Sequence, residues 1–304
     1  MTHIFITNPV AGRHHEMSDL RRRLEEFDDL DYYVFSTRHS GYEKEIVRQV
    51  LEIFEGEKLR FYSCGGMGTL RNMLNGFPNF RNVEIAMVPW GRANDILQVF
   101  SQEDAQRFYD IGELIHGDVV ACDYIRTNHG ICLNNLSTGL DTYVLERERR
   151  RRDNCIVNQS VPYMTTVLHS VFFSNAQNLT VTIDGERTED TFSELIFGNG
   201  KTLVGKLNFS EQPEASDGMG EYLMVPGASA LATLMCIPDM IRKDYDSIRQ
   251  KTMTGQWRKI RITSKDGRPV PMNQDGVMID SYSEWEAQIV SKGLPLVVPK
   301  GVTL

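Results

Sequence analysis

The chain has 304 residues, 41% hydrophobic and 24% charged, and a formal charge of −8 from 33 Lys and Arg against 41 Asp and Glu. That balance excludes a general nucleic-acid coat, which needs an excess of cations to neutralise phosphates, and no run of about 18 apolar residues is present to span a bilayer. The five cysteines (64, 122, 132, 155 and 236) form no CxxC pair. This argues against a zinc site or a disulfide framework and for a reducing, cytoplasmic setting. Met1 leads into a short apolar stretch rather than a secretory leader.

In chain order, His3 to Thr7 reads as a buried strand ending at Asn8-Pro9, and residues 32–36 as a second strand. Glu43 to Glu55 carries Ile46, Val47, Val50, Leu51 and Phe54 at helical spacing. Leu59 to Ser63 is strand-like and runs into Gly65-Gly66; Leu70 to Leu74 is a short helix stopped by Asn75-Gly76. Val83 to Val88 is the next strand, and Asn94 to Phe100 reads as helical. Alternation of this kind predicts a parallel sheet with helices on its faces and ligands at the carboxyl ends of its strands. Residues 118–126 and 131–136 read as strands around a turn at 128–130, and 142–174 as mostly helical with a break near Pro162. From Asn178 onward, short strands and tight turns such as Asp184-Gly185, Asp266-Gly267 and Asp275-Gly276 predict antiparallel β-structure. The expected division is an α/β domain over 1–120 and a β-rich, sandwich-like domain over 121–304. The final strand, within 294–304, returns to the first domain.

The strongest local signal is Cys64-Gly65-Gly66-Met67-Gly68-Thr69, between a strand and a helix. Glycines let the main chain approach a ligand closely, and the helix start offers unpaired N–H groups and a positive dipole end, which together suit a phosphate. A ligand-free glycine turn accounts for the same residues. Pro89 to Asp95 forms a second strand-to-helix loop; Asn94 or Asp95 serves there as an N-cap, and Arg92 offers an anion-binding guanidinium. Gly198-Asn199-Gly200-Lys201-Thr202 ends like a P-loop, but Leu195 stands where the first glycine belongs. His14-His15 lacks a ligand cluster and reads as a solvated helix start, and no G-x-S-x-G elbow occurs. Arg147 to Arg152 holds five arginines and a glutamate, either a solvated helix face or a patch for anionic headgroups at a membrane surface.

Taken together, these loops resemble the diacylglycerol kinase catalytic-domain family, soluble lipid kinases related to sphingosine kinases and more distantly to NAD kinases. Asn8 to Gly12 resembles N-P-x-[SA]-G, Gly65 to Thr69 G-G-D-G-T, Pro89 to Asp95 P-x-G-T-x-N-D, and Asn135 to Asp141 N-x-x-x-G-x-D. Gly198-Asn199 resembles a G-N step, Ser216 to Tyr222 D-D-G-L-L-D-V, and Asp275 to Val277 D-G-E; Thr37 matches a nucleotide-contacting threonine. The resemblance implies a nucleotide cleft between an α/β and a β-sandwich-like domain. It implies ATP as phosphoryl donor to a diacylglycerol-like hydroxyl, and nucleotide contacts from Asn8, Pro9, Gly12, Thr37, Gly65, Gly66, Met67, Gly68, Thr69, Arg71, Gly91, Arg92 and Asn94. It also implies Mg²⁺ at Asp217 and the carbonyl of Met219.

The sequence departs from the family pattern where chemistry is expected. Met67 replaces the acid of G-G-D-G-T, Asn72 a glutamate and Val277 the glutamate of D-G-E, while Arg71 and Arg92 add guanidiniums, so the site is five charge units more positive. Phosphoryl transfer needs a phosphate clamp, charge neutralisation and a group that orients or deprotonates the acceptor. Three readings stay open: a lipid kinase with a rearranged site and Asp275 as base, a nucleotide- or anion-binding protein with weak or no turnover, and a kinase for a soluble hydroxyl acceptor.

Overall fold

The computed structural model describes residues 1–11, 20–91, 94–153, 176–199, 202–203, 207–208, 214–227 and 229–304. The chain divides into two compact units. The first comprises Met1–Tyr124, Ala215–Asp217 and Val290–Leu304, and the second Ile125–Glu214 and Gly218–Ile289.

In the first unit, β1 (Thr2–Thr7), β2 (Tyr32–Ser36), β3 (Leu59–Gly65) and β4 (Val83–Pro89) pair in parallel, in the order β4-β3-β1-β2. Every residue of β1, β3 and β4 is buried, which is why these strands read as continuous runs rather than as alternation: both faces of a parallel sheet are covered. Helix α1 (Tyr42–Ile53) buries Ile46, Val47 and Val50, the stripe read from the sequence. Helix α2 (Met67–Leu74) begins three residues earlier than the sequence suggests and packs on α1 and β3. Residues 94–100, expected to be α-helical, form a 3₁₀ turn over Asp95–Val99. Asn94 there spends its amide group on the carbonyls of Pro89 (3.2 Å) and Gly91 (3.1 Å), holding the loop instead of capping a helix.

After α3 (Gln102–Arg107), α4 (Ile111–Ile115) ends on a buried guanidinium. Arg60 donates to Leu114 O (2.7 Å) and Ile115 O (2.9 Å) and pairs with Glu84 (Nε to Oε2, 2.7 Å). These donors satisfy helix-end carbonyls that have no intrahelical partner. The chain then runs through β5 (Asp118–Thr127) and β6 (Gly130–Cys132) to β7 (Asn135–Gly139). The single strand expected over 131–136 is broken because Leu133 N and Asn134 N donate to the Asp275 carboxylate rather than to a neighbouring strand.

In the second unit, β7 leads into α5 (Leu140–Asp153), the described part of the helix expected over 142–174; residues 154–175 lie outside the described residues. Strands β8 (Gln177–Ile183), β9 (Glu186–Gly198), β10 (Thr202–Leu203), β11 (Leu207–Asn208) and β12 (Gly220–Pro226) precede helices α6 (Leu231–Arg242) and α7 (Tyr245–Lys251). Strands β13 (Met253–Trp257), β14 (Lys259–Ser264), β15 (Val270–Gln274), β16 (Val277–Tyr282) and β17 (Glu284–Val298) complete the chain. The antiparallel order is β16-β15-β7-β9-β8-β14-β17, with β12 pairing both β9 and β13. Trp257, Trp285, Phe192 and Phe197 centre its core. The first residues of β17 pair with β14 in this unit, and its last residues lie parallel to β4 in the first unit (Leu296 opposite Ile85).

Helices α6 and α7 are absent from the sequence reading of this half. Residues 231–241 carry one charged side chain and a proline, so no polar face marks the helix. Two of the turns read from the sequence close hairpins, while Asp266-Gly267 joins β14 to β15, which pair with other strands. Asp184-Gly185 and Asp275-Gly276 both have positive φ (49° and 94°, 51° and 79°), the conformation a two-residue turn between antiparallel strands demands.

Candidate functional site

In the first unit, the carboxyl ends of β1, β3 and β4 bring the glycine-bearing loops into one place. Gly91 N donates to Gly65 O (3.0 Å), so the two loops are joined through main chain. A Cβ on Gly91 lies 2.2 Å from the Gly66 Cα, and one on Gly65 lies 2.5 Å from the Thr69 Oγ1; neither position accepts a side chain without displacing its neighbour. Asn8 crosses from the end of β1, donating from Nδ2 to Thr69 Oγ1 (3.0 Å) while its Oδ1 receives Val10 N (3.1 Å). Pro9 beside it is exposed. Thr37, after β2, is buried and bonds by its N–H to Thr7 O (2.9 Å), which sets it at the same edge of the sheet.

Helix α2 opens into this loop cluster. Its N-cap is Gly66, in extended conformation, with no side chain capping the first N–H groups. A helix start without a capping side chain presents donors and the positive end of the dipole to an incoming anion. Gly66 and Gly68 are partly exposed, Met67 between them is buried, and Thr69 is held by Asn8. Asn94 Oδ1 is a buried acceptor without a hydrogen-bond partner among the described residues, beside a loop whose next two positions, Arg92 and Ala93, lie outside the described residues. Gly12 lies outside them too.

Arg71, an expected nucleotide contact, lies on α2. It is buried to 3% exposure one turn into α2, its guanidinium lies against Asn72 Oδ1 (3.5 Å), and its charge holds the Lys44 ammonium of α1 below the usual lysine range, second to burial. Asn72 donates in turn to Glu43 Oε2 (3.4 Å), whose carboxyl burial pushes up. This network links α1 to α2.

Of the other predicted residues, Asp275 and Met219 belong to the second unit and Asp217 to the first. The carboxylate of Asp275 is 4% exposed, and its two oxygens take three main-chain donors: Leu133 N (2.6 Å), Asn134 N (2.8 Å) and Asn135 N (3.1 Å). In the sequence analysis Asp275 is the expected base. Its position is that of a clamp, with the oxygens turned into the protein and the charge held by amides. Val277, beside it, is partly exposed and carries no proton acceptor.

Next to the clamp is a carboxyl pair that the sequence reading missed. Glu194 Oε2 receives Asp141 N (3.1 Å) at the start of α5, and Asp141 Oδ2 is bonded by Ser137 Oγ and by Asn273 Nδ2 (2.9 Å). Burial raises the pKa of Asp141 and, with the neighbouring Asp141 charge second, raises that of Glu194 well above the usual range. The one signal in the sequence is an acid at 194 inside the buried run Phe192 to Phe197.

Asp217 is exposed and the sole acid of the loop 215–219, and Met219 Sδ lies 2.7 Å from Arg258 Nε. Among the described residues, no group of three or more His, Cys, Asp or Glu could hold a metal ion. Mg²⁺ is usually held by one or two carboxylates together with waters and substrate phosphates rather than by an all-protein cage, and the Asp217 carboxylate and the Met219 carbonyl are donors of that incomplete kind. Of the arginine run, Arg147 is half-buried and Arg150 is exposed and paired with Glu146 (2.8 Å); the side chains of Arg149, Arg151 and Arg152 lie outside the described residues.

Residues 2–127 match the family model of the diacylglycerol kinase catalytic domain. Over 154 residues the chain is 25% identical to "Putative lipid kinase YtlR" of Bacillus subtilis (strain 168). That alignment covers 47% of this chain and 50% of the relative, so the chain matches about half the length of that protein. Two solved structures from Bacillus anthracis str. Sterne resemble the fold. One is of a "putative diacylglycerol kinase" (TM-score 0.72, 17% identity, covering 98% of this chain and 95% of that one). The other is of a diacylglycerol kinase (TM-score 0.66, 18% identity, 98% and 96%). At such identities the likeness establishes a shared fold.

Proposed function

We propose that this chain, whose residues 2–127 match the family model of the diacylglycerol kinase catalytic domain, is a member of that family and transfers the γ-phosphoryl group of ATP to a lipid hydroxyl of the diacylglycerol type. The observation that carries this reading is the main-chain cradle of the first unit, in which Gly91 N meets Gly65 O at 3.0 Å beside the uncapped start of α2. Such a surface binds a triphosphate through amides and a helix dipole. Asn8 and Thr69 fix the cradle, Thr37 borders it, and Asn94 offers an acceptor toward the nucleotide. Magnesium enters with the triphosphate as part of the substrate, because Asp217 and Met219 make no cage for it. The β-rich unit takes the acceptor, and the functional boundary is proposed near residue 120, with the last strand returning to the first domain.

A second reading, a nucleotide binder of low turnover, is favoured by three placements: Met67 is buried where the family pattern has an acid, Val277 has no proton acceptor, and the Asp275 carboxylate is occupied by amides. Removing one charge-stabilising contact from a phosphoryl-transfer site costs about 10²–10³ in rate. Calorimetry with ATP, run alongside transfer of labelled γ-phosphate to diacylglycerol in mixed micelles, separates the two. Binding with transfer supports the kinase, binding without transfer supports the second reading, and no binding refutes both.

A further inference from the structure

Helix α6 is apolar on both of its faces. Thr233, Cys236 and Met240 are buried, the last two in a core cluster with Ile196, Leu223, Val225 and Ile248. The opposite side presents Leu231 (53% exposed), Met235 (60%) and Ile241 (59%), with exposed Pro238 between the last two. Steps of four, three and three residues put these four side chains on one stripe, about 15 Å long at the helical rise per residue. The only charged residue from 231 to 241 is Asp239, which is buried and paired with Lys251 (2.5 Å). An uninterrupted apolar stripe on a water-facing helix is unusual for a protein surface and marks an interaction site.

The charge around the stripe indicates what covers it. Ile241 is followed at once by exposed Arg242 and Lys243, in a protein of net charge −8. The acid that comes next, Asp244, is engaged at the start of α7 by Ser247 N (3.1 Å) and Oγ (2.8 Å). On the other flank, Leu140 and Val144 of α5 pack with Ala230 just before α6, and with Leu234 and Ile237 within it. The helix that bears Arg147 and Arg150 is therefore a direct neighbour. Apolar side chains edged by cations are the composition of a helix that lies in the plane of a lipid interface: the side chains enter the acyl boundary and the cations meet anionic headgroups.

We propose that the Leu231–Met235–Pro238–Ile241 stripe of α6, with Arg242 and Lys243, docks this protein on an anionic membrane surface. The proposal rests on the lipid-kinase reading in one respect: the acceptor is then membrane-borne, and a docked protein meets it at the bilayer.

The test is sedimentation of the full chain with vesicles of phosphatidylcholine alone and of phosphatidylcholine with phosphatidylglycerol. Wild type is expected to bind the anionic vesicles more tightly. Met235→Glu and Ile241→Glu are each expected to weaken that binding by about tenfold, the effect of withdrawing one large apolar side chain from the interface. Arg242→Glu with Lys243→Glu is expected to abolish the preference for anionic lipid. All of these positions are exposed, so the melting temperature should stay at the wild-type value. Wild type that does not sediment with anionic vesicles, or Met235→Glu and Ile241→Glu variants that bind as wild type does, overturns the proposal. So does a dimer that these variants dissociate while vesicle binding is unchanged, which assigns the stripe to a second copy of the chain. Phosphate transfer to a short-chain, water-soluble diacylglycerol keeps the two hypotheses apart. Transfer without vesicle binding removes the docking surface and keeps the kinase; Met235-dependent vesicle binding without transfer does the reverse.

Discussion

Replacing Asp275 by asparagine separates the clamp from the base. The Asp275 carboxylate receives Leu133 N on one oxygen and Asn134 N and Asn135 N on the other. Asparagine is nearly isosteric but keeps one acceptor oxygen and turns an NH₂ toward at least one main-chain N–H. A hydrogen bond to a charged group contributes about 1.5–3 kcal/mol, and a buried donor left unsatisfied costs about 1–3 kcal/mol more. Asp275→Asn should therefore destabilise the second unit by about 3 kcal/mol, which for a domain of this size lowers its melting temperature by about 6–12 °C. Val277→Ala, on the same hairpin but partly exposed, is the control and should shift it by far less. Thermal unfolding followed by circular dichroism, with labelled-phosphate transfer measured well below the transition, reads both properties. The clamp reasoning is refuted if Asp275→Asn melts with wild type and loses transfer, since that is how a proton acceptor with no structural role behaves.

Three other outcomes are expected. The folded-state pKa values of Glu194 and Asp141 are raised above the ordinary carboxyl range, so between that range and the raised values the folded protein holds more protons than the unfolded chain, and stability falls as pH rises. Glu194→Gln removes the titrating group and should flatten the decline seen in unfolding curves collected upward from about pH 4.5; a profile as steep as wild type counts against the pair. Gly91→Ala puts a methyl 2.2 Å from the Gly66 Cα, and overpacking of this kind costs about 1–3 kcal/mol, so calorimetry should show ATP binding weakened about tenfold to a hundredfold. Unchanged affinity would place the triphosphate elsewhere. Met67→Asp combined with Val277→Glu should raise γ-phosphate transfer by about 10²-fold if those two positions limit turnover, and an unimproved double variant leaves the low-turnover reading without its cause.

The fold was legible in the sequence wherever a rule needs only neighbours along the chain. Continuous apolar runs gave β1, β3 and β4, the Ile46, Val47 and Val50 stripe gave α1, and Asp184-Gly185 and Asp275-Gly276 gave their turns, because burial on both faces, helical periodicity and positive φ each leave a local mark. Helix α6 escaped because an apolar helix bearing a proline has no periodic polar face to reveal it. The glycine loops could be recognised one at a time. Their meeting, with Gly91 N on Gly65 O and Asn8 on Thr69, is set by the order of parallel strands, which no local pattern encodes.

The roles of charged residues depended most on tertiary structure. From sequence, Arg71 and Asp275 are a cation and an acid beside motifs that resemble the family pattern, with nothing local to say what they face. In the fold, Arg71 is buried on α2 against Asn72, and Asp275 holds the amides of Leu133, Asn134 and Asn135, residues 140 or more positions away along the chain. Composition and periodicity determine which segments become strands and helices, because those preferences are local. Whether a carboxylate meets water, substrate or main chain depends on groups brought to it from distant positions, and the desolvation and hydrogen-bond energies that decide its chemistry exist only after the chain has folded around it.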